Sequence, residues 1–81
     1  MDAKRTILFM QDKSFEKFLV RVAENIKRIR KSKGLTQEGM IPLGYSYRHY
    51  QRIEGGKNAP NLQTLYRLAQ TFKVDVREFF K

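Results

Sequence analysis

Residues 35–54, LTQEGMIPLGYSYRHYQRIE, restrict the fold more than any other part of this chain. Thr36 and Ser46 both suit a helix N-cap, where a short side-chain oxygen accepts a free N–H of the first turn. Gly44 lies between them and tolerates the positive φ of a tight turn. Pro42 lacks an amide proton and its ring clashes with the preceding turn. A helix opening at Thr36, with Met40, Ile41 and Leu43 as its apolar contacts, must therefore end or kink at Pro42. After Ser46 a second helix turns Tyr50 and Ile53 inward and Tyr47, Arg48, Gln51 and Arg52 outward, with His49 at the border. The stretch predicts two short helices joined at Gly44.

The flanking sequence supplies the body that such a pair needs. Ser14 can cap a long helix in which Phe15, Phe18, Leu19, Val22, Ile26 and Ile29 recur at three- and four-residue steps. Lys17, Arg21, Lys27, Arg28 and Lys31 occupy its other face, and Gly34 suits the position after its end. Gly55-Gly56 ends the third helix, and Lys57-Asn58-Ala59-Pro60 reads as a basic loop. Asn61 can cap a fourth helix with Leu62, Leu65, Leu68, Ala69 and Phe72 on one face. Val74 returns to the core, and Asp75 can cap a last short helix from Val76 to Phe80. No stretch alternates as a strand does. The expectation is an all-α, five-helix domain over residues 14–81, preceded by a short N-terminal arm over residues 1–13. Thr6 to Met10 within that arm fit a short strand, an early helix, an arm ordering on a partner, or a frayed terminus.

Length and composition narrow the function. Eighty-one residues make one small domain, and 41% hydrophobic with 31% charged residues is a globular balance. There is no cysteine, which excludes disulfides and thiolate metal sites and is compatible with the cytoplasm. No apolar run reaches the roughly 20 residues of a membrane span. TILFM is too short for the apolar core of a signal peptide. One histidine makes a histidine-based metal site improbable, so no metal or cofactor is expected. No paired-carboxylate or nucleophile spacing points to an enzyme. Gly55-Gly56-Lys57 lacks the strand and glycine spacing of a nucleotide loop.

Lysine and arginine number 17 against 8 acidic residues, a net charge of +9. Such a surplus favours an anionic partner: nucleic acid or an acidic membrane surface. A membrane role for the first helix competes with the core for the same apolar face. An ordinary solubility surplus is the plain alternative.

From about Val22 to Phe80 the chain resembles the phage-repressor (Cro-like, or XRE-like) helix-turn-helix DNA-binding family. The matching pieces are IKRIRKSKGLTQE, GYSYRHYQRIEGGKNAPNLQTLYRLA and VDVREFF, in that order. The resemblance implies a bacterial or phage-encoded transcriptional regulator that binds double-stranded DNA, acting in the cytoplasm. Tyr47, Arg48 and Arg52 match positions that read base edges, and His49 a position used less regularly. Gln37, Ser46 and Gln51 are assigned to phosphate, Gln37 sometimes to a base. Gly56, Lys57 and Asn58 resemble a loop that clamps the flanking phosphate through backbone and side chain. Arg30 and Glu54 match a family pair that forms a partly buried salt bridge.

The chain departs from the family inside residues 35–54. From Gln37 to Glu54 is 17 positions, one fewer than usual. Ile41 stands where a small residue is common, and Pro42 comes directly after it. The first motif helix should be abbreviated and its angle to the second altered.

Chemistry gives these residues further readings. Arg48 and Arg52, four apart on one helix face, can each make two parallel hydrogen bonds to guanine; an ordinary solvated face is the bland reading. Tyr47 can stack, touch a thymine methyl or reach a phosphate. His49 fits a base contact, a packed edge or a pH-sensitive group, and packing or exposure is the simpler assignment. Tyr45 and Tyr50 suit the core or turn. Lys31 and Lys33 can add long-range attraction or touch nothing. Helix starts at Gln37 and Tyr47 can bind phosphate through free N–H groups. A single module reads few bases, so a homodimer is expected, with the last helix (Phe79 and Phe80) or the arm residues Ile7, Leu8 and Phe9 as its surface; both sets fit the core equally well. The competing function is an antitoxin-like or adaptor interaction module on the same fold, with DNA contact weak or lost.

Overall fold

A computed structural model describes residues 13–81. Its elements are α1 (Lys13–Ser32), a 3-10 turn (Glu38–Met40), α2 (Tyr47–Glu54), α3 (Leu62–Phe72) and a 3-10 segment (Val76–Phe80). The all-α expectation holds among the described residues, and the order of the helical segments is the expected one. The helix count is corrected: three of the five segments are α-helices and two are 3-10 helices. The arm residues Ile7, Leu8 and Phe9 lie outside the described residues.

The helix starts follow from single side chains. Ser46 Oγ accepts from His49 N at 3.4 Å, Asn61 Oδ1 from Thr64 N at 2.8 Å and Asp75 Oδ1 from Arg77 N at 2.9 Å. Thr36 Oγ1 accepts from Gly39 N at 3.0 Å, bracing the 3-10 turn from the residue before its Gln37 N-cap. Ser14 is not ahead of α1 but inside it.

The stops share one device. After α1, Leu35 N donates to Arg30 O and Gly34 N to Lys31 O. After the 3-10 turn, Tyr45 N donates to Met40 O and Gly44 N to Ile41 O. After α2 the donors are Lys57 and Gly56, onto Arg52 and Ile53; after α3 they are Val74 and Lys73, onto Ala69 and Gln70. Each is a Schellman motif, which satisfies the last carbonyls by turning one residue left-handed. Gly34, Gly44 and Gly56 take that position at three ends, and Lys73 takes it at the fourth with φ +56°.

The core lies between the second half of α1, the 3-10 turn, α2 and α3. Ile26, Met40, Tyr50, Leu68 and Phe79 are fully buried within it. Several apolar expectations fail at the edges. Phe15 and Phe18 remain 44% exposed and line an open groove with Ala59, Pro60, Leu65 and Phe80. Phe18 stacks on Phe80 with ring centroids 6.1 Å apart. Leu62 is 80% exposed at the first turn of α3. Ile41 and Leu43 are exposed and only Met40 turns inward, since one 3-10 turn cannot present three apolar residues to one side.

Candidate nucleic-acid interface

The candidate interface is the outer face of α2, and its orientation is set from behind. Tyr50 and Ile53 anchor the helix in the core. Glu54, at its last turn, is buried against Arg30 of α1. Arg30 Nε donates to Glu54 Oε2 at 2.6 Å and Nη2 to Oε1 at 3.0 Å. Arg30 Nη1 also donates to the Leu35 carbonyl at 2.6 Å, tying the loop after α1 to the same cluster. Burial pushes the Glu54 carboxyl upward, but hydrogen bonds from Arg30 and Gln37, with the nearby Tyr50 hydroxyl, outweigh it and hold the group below its ordinary value. The hydrogen bond to Glu54 raises Arg30 further. Both groups stay charged across the physiological range.

The 3-10 turn, with Gln37 just before it, is held against α2 by polar contacts. Gln37 Nε2 donates to Glu54 Oε1 at 3.1 Å, while Gln37 Oε1 accepts from Gln51 Nε2 at 3.3 Å. Tyr47 donates its hydroxyl to Glu38 Oε1 at 3.1 Å. Three of the residues singled out from sequence, Gln37, Gln51 and Tyr47, thus carry intramolecular bonds. Tyr47 is half-buried rather than fully outward.

Arg48, His49 and Arg52 are exposed, and no described residue engages their side chains. Arg48 and Arg52 lie one turn apart on the same face. Ser46 is exposed and caps α2. The amides of Tyr47 and Arg48, in the first turn, have no intrahelical acceptor.

The loop after α2 corrects one sequence expectation. The backbone N–H groups of Gly56, Lys57 and Asn58 donate to Ile53 O and Arg52 O at 2.9–3.3 Å. They close the helix end and are not available to a phosphate. Only the exposed Lys57 side chain and the half-buried Asn58 side chain remain for that role. A helix dipole at Gln37 is likewise reduced, because the segment it opens is a single 3-10 turn. Phe79 is fully buried, which removes it as a surface for a second copy.

Sequence reasoning missed Arg67. Its Nη2 donates to the carbonyls of Gly44 at 3.0 Å and Leu43 at 3.4 Å, and its guanidinium lies 4.5 Å from the Tyr45 ring centroid. It clamps the connection between the 3-10 turn and α2 from the far side. A Cβ at Gly44 would collide with that Nη2, and φ there is +97°, so glycine serves both the turn and the clamp. In sequence Arg67 is one more exposed cation on α3, with no spacing to distinguish it. Glu38 was equally silent.

Among the described residues no group of three histidine, aspartate or glutamate side chains could hold a metal ion. No described helix is long and apolar enough to cross a membrane.

Known proteins are similar to this chain in sequence. The helix-turn-helix family model matches residues 43–79. A protein of Sinorhizobium fredii (strain NBRC 101917 / NGR234), named as the uncharacterized HTH-type transcriptional regulator y4dJ, is 41% identical over 54 residues, spanning 65% of this chain and 70% of its own length. The chain belongs to the XRE-like helix-turn-helix family. The family match opens at Leu43, directly after Pro42, so the abbreviated first half of the motif lies outside it. No solved structure gives a significant match.

Proposed function

We propose that this helix-turn-helix protein is a sequence-specific regulator of transcription that binds double-stranded DNA as a homodimer in the bacterial cytoplasm. α2 enters the major groove. Arg48 and Arg52 read base edges, with His49 beside them and Tyr47 at the helix start. Lys57, Asn58 and the Ser46 cap meet the flanking phosphates. The observation that carries this reading is the pair Arg48 and Arg52: exposed, unengaged by any described residue, and one turn apart on a helix whose opposite face is fixed by Tyr50, Ile53 and Glu54. Free guanidiniums on a rigid helix are suited to bidentate bonds with guanine, each worth about 1–3 kcal/mol of discrimination. The net charge of +9 supplies attraction that does not depend on sequence. The relative's name as a transcriptional regulator agrees with the proposal.

Selection of binding sites from random duplex DNA tests it. The expected product is an inverted repeat with half-site centres about 10 bp apart. Recovery of no enriched sequence would overturn the regulator reading. A second reading, an antitoxin-like or adaptor module, draws support from the single-turn first half of the motif and from the internal bonds of Gln37 and Tyr47. Salt-sensitive binding to any duplex without a preferred site would favour it.

A further inference from the structure

We propose that Glu38 fixes the proton of the Tyr47 hydroxyl, so that Tyr47 acts toward DNA only as a hydrogen-bond acceptor and selects adenine or cytosine at one base pair. This rests on the DNA-binding reading above and adds Glu38 to it as a positioning residue.

Tyr47 Oη lies 3.1 Å from Glu38 Oε1. A phenol has one proton, and an ionised carboxylate only accepts. The direction of the bond is therefore fixed: Tyr47 donates. The electrostatics agree. The Glu38 carboxyl is held below its ordinary value by its own backbone N–H and then by the Tyr47 hydroxyl. The Tyr47 hydroxyl is pushed up, first by its bond to Glu38. At neutral pH the shared proton resides on the tyrosine oxygen.

With that proton committed, only lone pairs remain for an outside partner. In the major groove the donors are the N6 amine of adenine and the N4 amine of cytosine. Guanine and the O4 of thymine offer acceptors, which the hydroxyl can no longer satisfy. Phosphate oxygens only accept as well, and the Glu38 charge repels them. The same bond thus turns Tyr47 away from the backbone and toward a base amine.

Position supports the assignment. Tyr47 is the first residue of α2, next to Arg48, where a recognition helix presents side chains to base edges. Tyr47 is half-buried as a residue, and the neighbouring Gln37–Gln51 bond holds the 3-10 turn and α2 together. The acceptor is presented from a fixed place rather than from a mobile tether.

The test compares wild type, E38A and Y47F by site selection from random duplex DNA. It then uses fluorescence anisotropy on the selected duplex and on one with the amine deleted (purine for adenine, 2-pyrimidinone for cytosine). Wild type should show one A or C column and lose roughly tenfold in affinity on deletion of that amine. Y47F should be indifferent to the deletion. E38A should admit G or T in that column, because the freed hydroxyl can donate. Matching melting curves would exclude unfolding as the cause. An enriched site with identical columns in all three proteins overturns the inference alone. So does a Tyr47-dependent column that is G or T in wild type. No enriched site for wild type overturns the DNA reading with it.

Discussion

Arg30 and Glu54, 24 positions apart in sequence, meet as a two-armed ion pair whose side chains are only 6% and 2% exposed. Gln37 joins the pair from the 3-10 turn. One cluster therefore sets the positions of α1, the turn and α2 together. This is how a first motif element of a single 3-10 turn can still support the second.

Removing one partner of this pair leaves an unpaired charge in the interior. Glu54→Ala should destabilise the domain by about 3–5 kcal/mol. The lowered Glu54 carboxyl also makes stability depend on pH. A carboxylate depressed in the folded state contributes stability above its unfolded value, near 4.5. That contribution is lost as pH falls through the lower folded value. Thermal melts of wild type should decline below about pH 4.5, whereas Glu54→Gln should start lower and decline less. Equal slopes for the two proteins would remove Glu54 as the titrating group.

Tyr50 is buried beside that pair, yet its hydroxyl makes no hydrogen bond within ordinary geometry. Burial is the main cause holding it protonated, far above its usual range. Tyr50→Phe removes a desolvated oxygen and keeps the ring. Chemical denaturation should show stability unchanged or raised by up to about 1 kcal/mol. A loss of more than about 1 kcal/mol would mean that the hydroxyl is bonded in solution.

Lys73 occupies the left-handed position that glycine fills at the other three Schellman ends. A Cβ there costs about 1–2 kcal/mol, partly offset by the greater freedom of glycine in the unfolded chain. Lys73→Gly should raise stability by up to about 1 kcal/mol in urea titrations. Lys73→Val, β-branched at positive φ, should lower it.

Arg48 and Lys57 should separate in DNA binding. Arg48→Ala should relax preference at one base pair at a cost of about 1–3 kcal/mol on the preferred site. Lys57→Ala should weaken all duplexes alike and reduce the slope of log affinity against log salt by about one. Titrations of preferred and scrambled duplexes at several salt concentrations measure both effects. Identical behaviour of the two variants would collapse the distinction between readers and clamps.

Much of the fold is written locally. Ser46, Asn61 and Asp75 each cap the segment that the sequence assigns to them, Thr36 bonds into the turn it was expected to open, and Gly34, Gly44 and Gly56 close three helical ends. Pro42 foretells a short first element. The difference between a short α-helix and one 3-10 turn at Glu38–Met40 is not in the residue pattern, because the two differ only in whether an N–H reaches back four residues or three, and the same side chains suit both. The exposure of Phe15, Phe18 and Leu62 is likewise invisible. An apolar stripe shows which face is available for burial, not how far along it the rest of the chain reaches.

The stretch from Leu35 to Glu54 divides along the same line. Sequence alone determined where its turn falls, where α2 begins and that Arg48 and Arg52 share its outer face, since caps, φ and helical period act within a few residues. Only the tertiary structure decided which of its polar side chains remain free. Gln37, Glu38, Tyr47 and Gln51 bond one another across the turn, the amides of Gly56 and Lys57 fold back on the helix end, and Arg67 reaches in from α3. Hydrogen bonds depend on distances of a few tenths of an ångström between segments, and those distances are set by how the whole domain packs.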